Sequence, residues 1–351
     1  MSISLLLVPA YYACVKQHTS TLKEPIERYG SMTLLPGAKK RETSKPLVRI
    51  HASWQYFLKK KYLYLLLLPG VVFFFIFNYV PMYGVIIAFK NFNFSKGIMG
   101  SPWSGLDNFK YLFGMADFYR VIYNSITVSV MRWLVTFPLP IFLAICLNEV
   151  PWKPYKRVTQ TLIYLPYFIS WIVISGILIN FLSPSWGVVN NILKQNFGME
   201  PIFFLGDDKY FRGIVILTSV WKNTGWDTII YLAAITSISP ELYEAAIVDG
   251  ANRLQRIRHI LLPGIKSTII VIMLLNIGNI LNNGFEQMYA LQNNNNILVS
   301  EVFETFTYRL GMISGRFSFA TTVGLFMGLI GTILLLSANR IAKWLGEDGI
   351  F

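Results

Sequence analysis

Apolar residues are concentrated in six long runs along this chain of 351 residues. A helix needs about 20 predominantly apolar residues to cross a bilayer, and each run approaches or exceeds that length. The pattern therefore predicts an all-α integral membrane protein with six transmembrane helices. The predicted spans lie near residues 62–89, 121–147, 158–182, 214–236, 267–285 and 317–341.

The charge distribution predicts how the chain is oriented. Charged residues make up 14% of the chain, whereas a soluble domain carries about 25%. The net charge of +13 does not indicate a nucleic-acid partner, because the basic residues flank the spans without a nucleic-acid-reading motif. Both termini and one set of alternate loops carry more than twice as many Lys and Arg residues as the other loops. The positive-inside rule then places both termini and segment 239–264 in the cytoplasm.

The residues before the first span form a separate region. Residues 1–61 are predicted to be a basic cytoplasmic tail, and residues 62–351 a six-span membrane domain. The apolar stretch at the start of the tail is too short to cross a bilayer, and it lacks the basic flank and clear cleavage site of a signal peptide. Because Met32 would serve equally well as a start, we expect residues 1–31 to be dispensable.

Segment 239–264 is a polar, helix-patterned stretch between the fourth and fifth predicted spans. Ser239 suits a helix N-cap, and Pro240 suits the first helical position. Asp249 and Gly250 predict a turn, after which a second helix ends at Pro263. The segment is therefore predicted to be a hairpin of two helices outside the membrane. Its apolar face, which would ordinarily pack on the rest of the protein, consists of Tyr243, Ile247, Gly250, Leu254 and Ile257.

The same segment carries a family motif. Glu244-Ala245-Ala246, Asp249-Gly250-Ala251 and the ending "ILLP" at 260–263 resemble the EAA loop of ABC-importer permeases. One departure is Ser267, where a second proline is often found. The stretches "NYVPMYGVIIAFKNFN", "SPWSGLDNFKYLF" and "NRIAKWLGEDGIF" are similar to the LplB-like oligosaccharide branch of the maltose-type permeases. The resemblance covers about residues 54–351.

This resemblance implies the partners and the task of the hairpin. In the family, the loop seats in a cleft of a separate ATPase subunit and transmits the motion of that subunit. The expected assembly contains a second permease, two ATPase subunits and an extracytoplasmic sugar-binding lipoprotein, in a bacterial plasma membrane. Glu244 and Asp249 either pair with basic groups of the ATPase or cap their own helices. The coupling residues implied by the resemblance are Glu244, Ala245, Ala246, Asp249, Gly250, Ala251, Arg253, Ile260, Leu262 and Pro263.

The sequence offers no catalytic or metal site. It has no Gly-x-x-x-x-Gly-Lys-Ser/Thr loop to cradle a phosphate, so ATP and Mg are expected on the partner ATPase and no cofactor on this chain. Cys14 and Cys146 form no zinc or disulfide pattern. An enzyme would need convergent polar groups, and Asp207 with Asp208 is better explained as an acidic loop tip. A polar loop tip is also predicted at 293–296.

Polar residues in the predicted spans suggest a route for the solute. In the fifth span, Asn276, Asn279, Asn283 and Glu286 are spaced as on one helical face, where they would bond sugar hydroxyls or link helices to each other. The fourth span offers four further candidates, Trp221, Asn223, Trp226 and Asp227. They would either contact the sugar, by ring stacking and hydrogen bonds, or pack against other helices and anchor the span at the membrane interface.

A stand-alone secondary carrier or channel for a small polar solute is the alternative. It would need buried ionisable pairs and an inverted repeat. The candidates are Arg132, Lys222 and Asp227, and no repeat is visible. Arg132 is instead expected to snorkel outward along its span.

Overall fold

The computed structural model describes residues 60–344 and residue 346. Within these residues the chain is helical, and its one extended pairing is an isolated antiparallel bridge between Lys90 and Trp103. The prediction of a mostly helical protein is confirmed. Segment 1–31, which is predicted to be dispensable, and nearly all of the tail lie outside the described residues. The described residues divide into two units, one that ends at Val85 and one that begins at Ile86.

The first unit contains the start of a long apolar helical segment. Helix α1 (Lys61–Phe74) continues as a π-helical turn (Phe75–Tyr79) and a 3₁₀ stretch (Val80–Phe89). Pro69 lies inside α1, and a proline removes one backbone hydrogen bond from a helix. Loosening of the regular α pattern is therefore expected from the sequence in this segment.

The second unit begins with short helices and two long ones. Helices α4 (Ala116–Thr136) and α5 (Pro138–Glu149) form one apolar span. A 3₁₀ turn at Leu165–Phe168 follows α6 (Lys153–Tyr164). Helix α7 then leaves at 93° to the preceding helix. The helices up to this point are α2 (Gly97–Gly100), α3 (Asp107–Gly114), α4 (Ala116–Thr136), α5 (Pro138–Glu149), α6 (Lys153–Tyr164) and α7 (Trp171–Phe181).

The remaining helices include α9 (Asp208–Thr236), the longest of the described α-helices. A π-helical turn (Ile257–Leu261) lies between α11 and α12, and another (Arg309–Ile313) follows α16. The helices are α8 (Val188–Phe197), α9 (Asp208–Thr236), α10 (Pro240–Val248), α11 (Arg253–Arg256), α12 (Leu262–Gly264), α13 (Lys266–Gly278), α14 (Phe285–Leu291), α15 (Ile297–Ser300), α16 (Phe303–Tyr308) and α17 (Phe317–Trp344).

The described helices qualify as membrane spans to different degrees. By length and composition, three of them can cross a bilayer: Lys61–Phe89, Ala116–Glu149 and Phe317–Trp344. Two bent pairs, Lys153–Phe168 with Trp171–Phe181 and Arg253–Gly264 with Lys266–Gly278, bring the number to as many as five. The predicted fourth span lies within α9, which is long enough but too polar to qualify.

Two of the predicted spans are wrong as single helices. The third, 158–182, is broken because Pro166 lies in a 3₁₀ turn and Ser170 caps a new helix, accepting a hydrogen bond from the Val173 amide at 3.4 Å. The fifth, 267–285, ends early, because α13 stops at Gly278.

Helix α9 organises the packing of this unit. Its N-terminal half joins α4 and α14 through Val128, Phe211, Val215 and Met288. Its C-terminal half packs Tyr231 and Ile235 against α5 and the hairpin region, where Ala144, Leu261 and Ile265 are fully buried. A third cluster, from α4, α16 and α17, includes Phe118, Phe303, Phe306 and Val323.

Helices α9 and α6 approach closely at a glycine. A Cβ added at Gly225 would lie 2.0 Å from the carbonyl oxygen of Ile163. Small residues allow such backbone contact between helices in a membrane, where association depends on packing rather than on the hydrophobic effect. Gly225 is therefore required for the contact of these two helices.

Replacing Gly225 by alanine is expected to destabilise the protein by about 1–3 kcal/mol, because the added methyl group overpacks the α6 contact. Gly213→Ala is the matched control, since Gly213 lies on the same helix with nothing within 4 Å of its added Cβ. The midpoint of thermal unfolding in detergent, followed by fluorescence-detected size-exclusion chromatography, measures both. Equal midpoints for the two variants would contradict the close approach.

Candidate functional site

Segment 239–264, the predicted hairpin, consists of two helical arms separated by a turn, and its place outside the membrane stays a prediction. Helix α10 begins at Pro240 and ends at Val248. The chain turns at Gly250, whose φ of 79° favours glycine because it has no Cβ. The second arm runs from Arg253 to Gly264. Ser239 occupies the predicted N-cap position, although its hydroxyl makes no cap bond.

A capping box starts the second arm. The Gln255 amide donates to Asn252 Oδ1 at 2.9 Å, and the Asn252 amide donates to Gln255 Oε1 at 2.7 Å. Such reciprocal bonds satisfy two backbone donors at a helix start. The spacing of three residues between Asn252 and Gln255 is the sequence signal for this cap.

Most of the hairpin surface is open in this chain. No residue of α10 is buried. Ile247, Val248 and Leu254 are 56%, 87% and 72% exposed. Tyr243 and Ile257, from the same predicted apolar face, are half-buried. The face therefore divides between inward and outward residues, and packing on the chain itself accounts only for the inward ones.

The acidic residues of the motif are also unengaged. Glu244 and Asp249 are exposed. Within the described part of the chain neither side chain makes a hydrogen bond or an ion pair. The capping alternative for these two residues has no supporting bond in this structure.

The hairpin contacts the rest of the unit at two places. Beside the turn, the Arg253 Nε lies 4.0 Å from Glu149 Oε2 at the end of α5. Burial raises the pKa of Tyr243; the nearby Glu149 carboxylate raises it further, and Arg256 opposes the shift. At the base, a Cβ at Gly264 would lie 2.7 Å from Ile238 Cδ1, so the chain after α9 packs closely against the end of the second arm.

The polar residues of the predicted fifth span do not share one helical face. Helix α13 ends at Gly278, and the chain reaches α14 through a turn in which Gly284 has a φ of 77°. Asn276 and Glu286 are exposed on either side of this break. The Asn279 amide donates to the Leu275 carbonyl of its own helix at 3.1 Å. The prediction of a continuous polar face is wrong because the helix ends within it.

Asn283 is held inside the protein. Its side chain is fully buried, and its Oδ1 accepts a bond from Ser129 Oγ at 3.2 Å. Its Nδ2 donates to the carbonyls of Ser125 and Leu281 at 3.4 and 3.2 Å. Hydrogen bonding between helices, rather than contact with sugar, therefore accounts for Asn283, because its side-chain amide links α4 to the turn between α13 and α14.

Arg132 does not snorkel outward. Its Nη1 donates to the Asn283 carbonyl at 2.7 Å, and its Nη2 donates to Gln287 Oε1 at 3.1 Å. The backbone amide of Asn283 in turn donates to Glu304 Oε1 at 2.6 Å. Gln287 and Glu304 carry no signal of this role in the sequence, because both lie in a predicted loop where polar side chains are common.

The polar residues of α9 surround the break between α6 and α7. Lys222 is 6% exposed, and its ammonium donates to the carbonyls of Pro166, Tyr167 and Ile169. Its Nζ also lies 5.5 Å from the Trp171 ring centroid. Lys222 therefore supplies hydrogen bonds to carbonyls at the bend.

The four candidates of the predicted fourth span differ in exposure. Trp221 is 54% exposed. Trp226 stacks on Tyr167 with ring centroids 4.5 Å apart, which favours the packing alternative for this residue. Asn223 donates to the Ser219 carbonyl one turn earlier at 3.0 Å, and Asp227 is half-buried.

Asparagine side chains connect the loops at the other end of the unit. Asn296 is fully buried, and its amide donates to the carbonyls of Leu205 and Leu291 at 2.7 and 2.9 Å. The predicted loop tip at 293–296 is therefore wrong for this residue. Within the described residues, no group of three or more His, Cys, Asp or Glu side chains could hold a metal ion.

Two solved transporters resemble this chain in fold. One is the crystal structure of a bacterial ABC transporter involved in the import of the acidic polysaccharide alginate. Its matching chain has a TM-score of 0.76 and 41% identity, covering 83% of this chain and 98% of that one. The other is a bacterial alginate ABC transporter in complex with an alginate pentasaccharide-bound periplasmic protein. It gives a TM-score of 0.77 and 40% identity, covering 84% and 99%.

Sequence relatives agree with these structures. The chain is 44% identical over 314 residues to protein LplB of Bacillus subtilis, covering 89% of this chain and 98% of that protein. It is 43% identical over 313 residues to the polygalacturonan/rhamnogalacturonan transport system permease protein YteP of the same organism, covering 89% and 95%. Residues 136–347 match the family described as binding-protein-dependent transport system inner membrane component. This chain belongs to that family of transport permeases.

Proposed function

We propose that this chain is a permease subunit of an ATP-driven importer that moves an oligosaccharide into the cell, with an ATPase subunit docked on the hairpin 239–264. The observation that carries the proposal is the exposed hairpin itself. It presents apolar and acidic side chains that the described chain leaves without partners. The energy for transport then comes from the hydrolysis of ATP, which the partner binds together with Mg.

The hairpin has the chemistry of a docking element. Ala245 and Gly250 are exposed and small, so a partner backbone can approach closely. Ile247, Val248 and Leu254 form an apolar surface around them, and apolar anchors at the centre of an interface carry most of its binding energy. The acidic residues Glu244 and Asp249 supply charge for basic groups on the ATPase.

The remaining motif residues attach the docking surface to the membrane domain. Ala246, Ala251 and Ile260 are half-buried. Leu262 and Pro263 lie in α12, which leads through Ile265 into α13. Arg253 faces Glu149. These residues are suited to transmitting a displacement of the hairpin to α5 and α13.

The proposed assembly places this chain in a bacterial plasma membrane as a six-span subunit with both termini in the cytoplasm. Three apolar helices and two bent pairs within the predicted membrane domain 62–351 support this topology, with α9 as the fourth span despite its polarity. A second permease completes the pathway, two ATPase subunits dock from the cytoplasm, and an extracytoplasmic sugar-binding lipoprotein delivers the solute. Membrane lipid covers the exposed apolar helix faces.

The names of the relatives support an acidic oligosaccharide as the substrate. Relatives above 40% identity include one named for polygalacturonan and rhamnogalacturonan and one described as importing the acidic polysaccharide alginate. Polygalacturonan is a polymer of a sugar acid, so both descriptions concern carboxylate-bearing chains. Within the span region, Trp221 and Asn276 are exposed and are the first candidates to contact the solute. Asn223, Asn279 and Trp226 are candidates with partly engaged side chains. The exposed Glu286 and the half-buried Asp227 would contact hydroxyl groups of the sugar, because a carboxylate repels its acidic groups.

Reversing the charge of Glu244 is expected to release the ATPase subunit. Losing one partner of an interfacial charge pair costs about 2–5 kcal/mol, so the amount of ATPase recovered with affinity-tagged Glu244→Lys should fall at least about tenfold. Glu241→Lys is the matched control, because Glu241 is exposed on the same helix and lies outside the motif. Quantitative mass spectrometry of complexes purified from native membranes measures both. Equal ATPase recovery from Glu244→Lys and wild type would argue against docking at this residue.

Replacing Gly250 by valine is expected to uncouple ATP hydrolysis from transport while leaving the chain in the membrane. A left-handed backbone costs about 1–2 kcal/mol for a residue with a side chain, and the valine also enlarges the turn. Asp249→Lys is expected to have the same effect by reversing the charge beside the turn. Gly315→Val is the matched control for backbone strain, since Gly315 also has a positive φ, of 66°, and open space. Substrate-stimulated ATPase activity is the readout, and normal stimulation in Gly250→Val would contradict the coupling role.

The substrate class predicts selective uptake. Proteoliposomes containing the purified importer and its binding lipoprotein should accumulate an oligogalacturonate. A neutral oligosaccharide of equal length should compete at least about tenfold less well, a difference of about 1.4 kcal/mol. Equal competition by the neutral sugar would remove the acidic class and leave an oligosaccharide importer of another specificity.

A further inference from the structure

The backbone of one residue, Asn283, is held from both sides by charged side chains. Its carbonyl accepts a bond from Arg132 Nη1 at 2.7 Å, and its amide donates to Glu304 Oε1 at 2.6 Å. Arg132 lies on α4 and Glu304 on α16, whereas Asn283 lies in the break between α13 and α14. We refer to Arg132, Asn283 and Glu304 as the peptide clamp.

The clamp fixes the most irregular part of the α13–α14 segment. Gly284 follows Asn283 with a φ of 77°, and a Cβ there would lie 3.8 Å from Arg132 Nη1. Arg132 also bonds Gln287 at the start of α14. Gln287 itself donates to the Val215 carbonyl and to Thr218 Oγ1 on α9 at 2.8 and 2.9 Å. The position of the break therefore depends on α4, α9 and α16 together.

Both charged residues of the clamp keep unused hydrogen-bonding capacity. Arg132 Nε and Glu304 Oε2 are buried and have no hydrogen-bond partner within the described part of the chain. No ion pair joins the two side chains directly, because the Asn283 backbone lies between them. Buried polar atoms without partners cost free energy, so an arrangement in which the two groups meet would recover part of that cost.

The clamp lies in the turn just beyond the end of the helix that follows the hairpin. The second arm and α13 meet at Ile265 with a bend of 58°, and α13 then runs without interruption to Gly278. A displacement of the hairpin therefore reaches the break through one short, continuous helix.

We infer that Arg132 and Glu304 are positioning residues for transport, which bridge the Asn283 backbone in one state of the cycle and pair directly with each other in another. Moving α13 withdraws the Asn283 backbone from between the two side chains. The free Nε of Arg132 and the free Oε2 of Glu304 then close on each other as an ion pair. The exchange gives the break two defined positions. The use of the hairpin as the driver rests on the proposed docking function.

Glu304→Gln separates this function from a merely structural one. Glutamine keeps an oxygen that can accept the Asn283 amide bond, so the state described here is preserved. It lacks the negative charge that the second state needs. Glu200→Gln is the matched control, because Glu200 is exposed in a loop between α8 and α9.

The experiment uses the complete importer in proteoliposomes, with Cys14 and the exposed Cys146 replaced by serine. Asn282→Cys is the reporter, because Asn282 is exposed beside the clamp. Its labelling by a membrane-impermeant maleimide is compared in nucleotide-free and vanadate-trapped complexes. In the parent complex and in Glu200→Gln, the labelling rate should change with nucleotide state. In Glu304→Gln the rate should be the same in both states, and uptake should fall at least about tenfold. The ATPase subunit should still co-purify.

A nucleotide-dependent labelling rate and normal uptake in Glu304→Gln would overturn the inference. If Glu304→Gln fails to insert, Arg132→Lys and Arg132→Gln decide the matter. The lysine retains the charge and should keep at least about half of the uptake, whereas the glutamine should lose at least about nine-tenths of it. Equal uptake by these two variants would also overturn the inference. Failure of the docking proposal is distinguishable, because the ATPase subunit would then not co-purify with the parent complex.

Discussion

A helix that breaks inside a bilayer must find hydrogen bonds for the backbone groups it exposes, since each unsatisfied group costs several kcal/mol. Two breaks in this chain meet that constraint in the same way. At the bend between α6 and α7, the Lys222 ammonium donates to the carbonyls of Pro166, Tyr167 and Ile169. At the break between α13 and α14, the peptide clamp bonds both backbone groups of Asn283. In each case a long charged side chain from a neighbouring helix supplies what the broken helix lacks, so the breaks and the charges depend on each other.

This dependence explains why α9 is long and yet too polar to resemble a lipid-facing span. Ser219, Lys222, Thr224 and Thr228 are all buried, because α9 packs against α4, α5, α6 and α14. Polar residues within a membrane are tolerated when they face other helices and find partners there. Composition alone reports the polarity of α9, and the packing gives its reason. The close approach at Gly225 belongs to the same arrangement, since it brings α6 near enough for Lys222 to reach the bend.

The sequence predicted what depends on local signals. Pro240 and Gly250 mark the hairpin directly, because each has a backbone preference that few other residues share. The breaks were not predictable in this way. Pro166 signals an irregularity but not a bend of 93°. Asn283-Gly284 is a turn signal inside the predicted fifth span, but it does not by itself place the end of α13 at Gly278. Contacts between distant residues decide these points, as in the bond from Arg132 to Gln287, which are 155 positions apart. One sequence, read without homologues, does not encode such contacts visibly.

The geometry of α13 constrains how motion can pass between the hairpin and the break. At its start, Ile265 is fully buried in the cluster with Tyr231 and Leu261. At its end, Gly278 packs against α17, where a Cβ on Gly331 would lie 3.0 Å from the Gly278 carbonyl oxygen. Contact this close resists separation of the two helices, because any gap forfeits packing on both sides. It leaves sliding and rotation along α17 as the motions of least cost. Either motion would shift the Asn283 backbone out from between Arg132 and Glu304 without moving the helices apart. The proposed exchange, from two bonds to the Asn283 backbone to a direct Arg132–Glu304 ion pair, requires this displacement.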